Sequence, residues 1–235
     1  MRGPEHLKFA PEGMRVALIA AVLAVAVSVA AFATAGLLVG VVVFFVASDL
    51  AVGALLFFRD PERVPPADPT AVVSPADGRV VFAEAGAPPH RFAPGSTVKV
   101  AIFMSPLDVH VNRSPLDASL VKAEHRPGQF GAAYRDDAGD INESNSLLLR
   151  TAAGAEVVVV QIAGWLARRI VCRVRPPLGL SRGERFGLIM FGSRVDVYLP
   201  PGARLAVKVG ETVRAGQTTL AWLDGDGATD ETQAA

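Results

Sequence analysis

Apolar and polar positions divide the chain into regimes. From residue 16 to residue 58 nearly every side chain is apolar, and Asp49 is the only charge in those 43 residues. One straight helix of that length would run about 65 Å, twice the roughly 30 Å hydrocarbon core of a bilayer. The pattern therefore predicts a hairpin, with helices over 16–33 and 37–58 and a turn at Ala33-Thr34-Ala35-Gly36. From residue 71 onward the apolar runs become short. They cover 71–73, 79–83, 97–104, 119–124, 146–150, 156–162, 168–174, 187–191, 195–199, 204–209 and 218–223, separated by Gly, Pro and Asp turns. Such runs with weak helical periodicity predict a mainly β domain over 71–223, folded as a sandwich or barrel. Residues 195–199 alternate as a half-buried strand does. Between the two regimes, 59–70 is polar and proline-rich and reads as a linker. The tail 224–235 has four acids and no bulky apolar residue, so it is expected to be disordered.

Charge orients the hairpin. Arg2, Lys8 and Arg15 precede it, Arg59 and Arg63 follow it, and no basic residue lies within it. The positive-inside rule then puts both ends, the N-terminal segment 1–15 and the β domain, on the cytoplasmic side of the cell membrane. That requires two crossings or a re-entrant hairpin. The apolar stretch is too long for a signal peptide, whose core is about 7–15 residues. Asp49 is costly at mid-membrane, and a second helix ending before it would leave both passes short. Lys+Arg and Asp+Glu both number 23, and this zero balance gives no footprint for nucleic acid. One cysteine, Cys172, excludes an intrachain disulfide and reads as a small buried apolar residue. With only four histidines beside it, a structural zinc site is not expected either.

Candidate chemistry gathers at Arg185-Phe186-Gly187 through Phe191-Gly192-Ser193-Arg194-Val195-Asp196, where two β-type runs meet at a Gly-Ser pair. Such a pair is ordinarily a turn. On a strained peptide, however, the Ser193 hydroxyl can attack the Gly192 carbonyl, convert the amide to an ester, and lose it by β-elimination. That cuts the chain and leaves dehydroalanine, which becomes a pyruvoyl group on losing ammonia. Asp77, in Ser74-Pro75-Ala76-Asp77-Gly78-Arg79, is either a hairpin turn former or an acid. His110, between Val109 and Val111, is either structural or a general base. Asp, His and Ser in this order can make a charge-oriented nucleophile, though spacing alone does not establish one. Asp140-Ile141-Asn142-Glu143-Ser144-Asn145 reads as a solvated polar loop. Two other classes stay open. Residues 207–217 look like the turn of a biotinyl, lipoyl or phosphotransferase carrier, but Lys208 falls within a strand pattern rather than at a hairpin tip. A membrane-anchored serine hydrolase would use Ser193 intact.

Several ordered segments also carry a likeness. Phe57-Phe58-Arg59-Asp60-Pro61, Ser74-Pro75-Ala76-Asp77-Gly78, Ser105-Pro106-Leu107-Asp108-Val109-His110, Arg126-Pro127-Gly128, Asn142-Glu143, Gln161-Ile162-Ala163-Gly164, Ala167-Arg168-Arg169-Ile170-Val171 and the Gly192-Ser193 region stand in order along nearly the whole chain. In these the chain resembles the phosphatidylserine decarboxylases, specifically their short, archaeal-type group. The resemblance implies a carrier-like β catalytic domain and self-cleavage between Gly192 and Ser193, into a β chain of residues 1–192 and an α chain of 193–235. It implies that Ser193 becomes the pyruvoyl cofactor (covalent pyruvate), with Asp77 and His110 assisting. The pyruvoyl ketone would form a Schiff base with the amine of phosphatidylserine in the bilayer, releasing CO2 to leave phosphatidylethanolamine, with no metal. Other branches carry His-x-x-His, and here Arg113 holds the second histidine's place. Arg135, Arg168, Arg169 and Arg194 are candidate phosphate ligands, none preferred.

Overall fold

A computed structural model describes residues 7–129, 131, 141–164, 169–190 and 193–223. The chain forms two compact units, Met1–Glu62 with Leu107–His110, and Arg63–Pro106 with Val111–Ala235. The division falls inside the stretch expected to be a linker. The assignment of Leu107–His110 to the first unit was not visible in the sequence.

In the first unit, β1 (Leu7–Phe9) pairs antiparallel with β2 (Arg59–Pro61), closing the base of a helical pair, α1 (Pro11–Ala35) and α2 (Leu37–Phe57). Helix α1 begins at Pro11, ahead of the expected residue 16, because proline's fixed φ and missing N–H suit a first helical turn. The turn sits at Gly36, whose φ of 83° favours a residue without a Cβ. Helix α2 continues through Asp49, which is exposed, to Phe57. Both helices are long and apolar enough to cross a membrane, their 18-residue apolar stretches having mean hydropathies of 2.8 and 2.4. Small residues are buried at Ala24 and Ser28 of α1 and at Gly40 in the first turn of α2, as close helix packing in an apolar medium favours.

The second unit is a β-sandwich. Its large sheet contains β11 (Leu178–Leu180), β7 (Ala118–Arg126), β8 (Ser144–Arg150), β9 (Glu156–Ile162), β13 (Ser193–Leu199), β5 (Val98–Met104), β4 (Gly78–Ala85) and β15 (Thr212–Val213), in that order. Two three-stranded sheets complete it: β10 (Ile170–Cys172), β12 (Arg185–Ile189) and β6 (Val111–Arg113), and β14 (Arg204–Leu205), β16 (Thr219–Trp222) and β3 (Ala71–Val73). Alternation sorts the large sheet's side chains onto two faces. Val98, Val100, Ile102, Leu147, Leu149, Val157, Val159, Val195 and Val197 join Phe186, Ile189 and Leu220 of the small sheets in the main core. Leu148, Val158, Val160 and Ile162 face the other way, beneath Ala93 and Phe92.

Four sequence expectations change here. Strand β13 is not half-buried: Arg194 and Asp196, its polar positions, are 3% and 0% exposed. Both are tolerated because Arg194 chelates Asp196 through Nε (2.6 Å) and Nη2 (2.7 Å), and Lys99 adds a third contact at 3.0 Å. The segment 140–145 is not a solvated loop in its described part. Asn142 and Asn145 are buried, and Asn142 bonds to both main-chain groups of Gly131 and to the Ala163 carbonyl. Cys172 is only half-buried, its Sγ near the Val174 carbonyl. Finally, the run expected over 204–209 stops at Leu205, leaving Lys208 exposed just before the turn at Val209 and Gly210.

Candidate active site

Ser193 is the first residue of β13, which lies between β9 and β5. Its side chain is on the main-core face and wholly buried. The hydroxyl points at the sulfur of Met104, its partner across β5, at 3.4 Å. Gly192 lies outside the described residues, as do Arg135 and Arg168. On the same face a chain of buried amides runs toward that sulfur. Asn145 Nδ2 donates to Gln161 Oε1 (2.9 Å), Gln161 Nε2 donates to Asn112 Oδ1 (2.9 Å), and Asn112 Nδ2 approaches Met104 Sδ (3.9 Å). All the NH2 groups therefore point the same way, and the last converges with Ser193 on one sulfur. Gln161→Leu keeps the volume but strands an acceptor and a donor, each costing about 1–3 kcal/mol when buried. That variant is expected to melt well below the parent in a thermal scan, and an unchanged Tm would show the chain to be dispensable.

Asp77 lies at the same end of the sheet. Arg79 pairs with Phe103 and Ser193 with Met104, so the two sites flank the end of β5, roughly 9–10 Å apart at two interstrand spacings. Gly78 makes the approach possible: its φ is 147°, and a Cβ there would sit 2.1 Å from the Phe103 carbonyl oxygen. Asp77 is more than a turn former. Both carboxylate oxygens accept from the Arg63 guanidinium, Nη2 to Oδ2 at 2.8 Å, and Oδ1 also accepts the Ala215 N–H at 2.8 Å. Arg63 further donates to the Ala215 carbonyl at 2.9 Å. No local signal could have revealed Arg63, which sits in the proline-rich stretch read as a linker. Arg113, in place of a second histidine, is buried and donates Nη1 to the Gly183 carbonyl at 3.0 Å.

His110 belongs to the first unit. It is 2% exposed, and its ring lies against Phe57 with centroids 4.0 Å apart. Nδ1 is 2.9 Å from the Asp108 carbonyl. A carbonyl only accepts, so Nδ1 carries the proton and Nε2 the basic lone pair. The tautomer that an aspartate sets in a Ser-His-Asp arrangement is set here by main chain. Arg59 secures this corner by donating to the carbonyls of Leu56 (3.0 Å) and Leu107.

The second face of the large sheet carries a different chemistry. A cavity of about 470 Å³ opens there, lined by His90, Lys99, Arg126, Arg194, Asp196 and Tyr198 among others. Burial, with help from the charges of Arg91, Arg126 and Lys99 and against that of Asp196, pushes the His90 pKa down to about 4. Its Nδ1 accepts the Phe92 N–H (3.1 Å), its Nε2 is 3.4 Å from Ser146 Oγ, and its ring packs on Phe92 and Tyr198. The unfolded chain binds this proton near pH 6.5 and the folded protein only near 4, so acid favours unfolding across that window. Stability is expected to fall between pH 6.5 and 4, and His90→Gln to reduce that total fall by about 1 kcal/mol after allowance for solvent screening. Equal slopes in parallel denaturant titrations would refute this.

Among the described residues no cluster of His, Cys, Asp and Glu is suited to a metal. Fold and site define a class: a mainly β protein following an apolar helical pair, with its candidate serine buried at the head of an internal strand. A hydroxyl so enclosed suits a reaction on its own chain better than attack on an outside acyl group. The sequence profile of the phosphatidylserine decarboxylase family matches residues 50–221. The phosphatidylserine decarboxylase proenzyme of Burkholderia ambifaria is 50% identical over 175 residues, covering 74% of this chain and 81% of the relative. That of Mycobacterium marinum is 49% identical over 177 residues, 74% of each chain. The chain belongs to the phosphatidylserine decarboxylase family.

Proposed function

We propose that this chain is a membrane-anchored phosphatidylserine decarboxylase, made as a proenzyme that cuts itself between Gly192 and Ser193. The observation that carries the reading is the placement of Ser193 at the first position of β13. A cut ahead of it leaves the pairing from Arg194 to Leu199 with β5, and from Arg194 to Tyr198 with β9, whole. A pyruvoyl group made from residue 193 would therefore stay fixed in the sandwich, and the residues present fit it.

In the cut, Ser193 Oγ attacks the Gly192 carbonyl and its proton passes to a base. Elimination of the resulting ester releases residues 1–192 with a carboxylate end, and water then replaces the amine of the dehydroalanine as ammonia. His110 is the base, through Nε2, and its enclosure against Phe57 limits competing solvent contact. Asp77, held by Arg63 and the Ala215 amide, contributes a fixed negative charge at the same end of the sheet as Ser193. The pyruvoyl carbonyl supplies the sink for the electrons left when CO2 departs. His110 returns a proton to the substrate carbon that has lost CO2. Phosphatidylethanolamine is the product, and the cleaved 1–192 and 193–235 chains remain together.

The membrane hairpin of 16–58, with the 71–223 decarboxylase domain on the cytoplasmic side, keeps the head group at the bilayer surface while its acyl chains stay in lipid. The carrier alternative is not favoured: exposed Lys208 has the accessibility a carrier needs, but the relatives that match the chain are decarboxylase proenzymes. The direct test is incubation of the purified protein with vesicles containing carboxyl-labelled phosphatidylserine. Labelled CO2 and stoichiometric phosphatidylethanolamine are expected. A fully cleaved protein that releases neither would overturn the substrate assignment.

A further inference from the structure

We propose that the cavity on the second face of the large sheet is an anion site that takes a phosphate group, either free phosphate or the phosphodiester of a lipid head group. It lies on the face of β13 that carries Arg194 and Asp196, whereas the Ser193 hydroxyl points into the main core on the other face. It is therefore separate from the serine's own surroundings.

The cavity holds about 470 Å³, ample for a phosphodiester. Four cations line it, Arg91, Lys99, Arg126 and Arg194, against one carboxylate, Asp196. Glu124 adds a second carboxylate by pairing with Arg91 at 2.6 Å, and Lys122 a fifth cation by approaching Glu124 at 3.3 Å. Among these side chains five positive charges meet two negative ones. Asp196 lines the cavity too, but its side chain is 1% exposed and capped by Arg194 and Lys99, while Lys99 keeps 17% of its side-chain surface open. The ammonium of Lys99 is held over the rings of Tyr198 (5.0 Å) and Phe82 (5.6 Å), which fixes its position without neutralising it. Ser144 and Ser146 add hydroxyls to the lining. Cations with adjoining hydroxyls in a concave, partly apolar wall are what a tetrahedral oxyanion needs. The neutral imidazole of His90 sits in this field and so reports on it.

The test uses the full chain in a phosphate-free non-ionic detergent, with histidine NMR following His90, assigned through His90→Gln. Inorganic phosphate and glycerophosphoglycerol are titrated separately, each against sodium chloride at matched ionic strength. Saturable one-to-one binding is expected, with the His90 pKa rising from about 4 as the anion offsets the local positive field. Arg91→Gln/Arg126→Gln, at the rim, should weaken binding by about tenfold or more. Binding of phosphate but not the diester assigns a free-phosphate site, and binding of the diester assigns a head-group site. Saturable binding of neither, an equal response to chloride, or unchanged affinity in the double variant overturns the proposal. If the double variant fails to fold, the wild-type titration of His90 decides by itself.

Discussion

Ser193→Ala is expected to remain one chain of 235 residues, where the parent protein should yield fragments of residues 1–192 and 193–235, the smaller with a blocked N-terminus. The substitution removes one oxygen from a wholly buried side chain whose hydrogen-bond partner is a thioether, a weak acceptor. Little stability depends on that bond, so the variant should fold, and the absence of cutting would report on chemistry rather than on misfolding. Without Oγ there is no ester to eliminate. Decarboxylation should fall to background, since residue 193 can no longer supply a ketone. Intact mass spectrometry reads the result directly. A cut in Ser193→Ala, or an uncut parent after incubation with lipid, would remove the basis of the proposed mechanism.

The second large effect is expected at His110. Loss of a positioned general base typically costs 10²–10⁴-fold, and His110→Ala should slow self-cleavage by that order. The fraction that does mature should release CO2 more slowly by a comparable factor, because Arg113 is engaged with the Gly183 carbonyl and cannot serve as a neutral base. The split between the two readouts is informative. Slow maturation with normal turnover per cleaved molecule would confine His110 to the first reaction and require another proton donor for the second. Normal rates of both would remove His110 from the site.

Much of this was legible in the sequence, for definite reasons. Strand β9 was bounded correctly because a run of valines between the turn at Gly154 and Gly164 leaves little choice. The apolar hairpin followed from length alone. Strands β6, β11 and β15 were missed because each has two or three residues and exists only by pairing with a distant partner. The burial of Asp196 was misread because alternation does not show that Arg194, two residues before it on the same strand face, chelates it, and Lys99, which completes the pairing, lies far off in the chain on β5. At the site, the Gly-Ser junction stood out locally. Arg63, Met104, Gln161 and Asn112 did not, because each matters only through a residue brought to it by the fold.

The internal position of β13 has a consequence for how the molecule can be made. Its strand is filled from both sides, by β9 and β5, and the residues after it supply β14, β15 and β16. While the chain is continuous, these pieces are inserted by a first-order search within one polymer. A break ahead of Ser193 would turn the same search into an encounter between two molecules, dependent on concentration and opposed by the aggregation of an opened sheet. Maturation would then act as a ratchet: the uncut chain can fold, unfold and fold again, whereas the cut protein, once melted and diluted, has no ready way back.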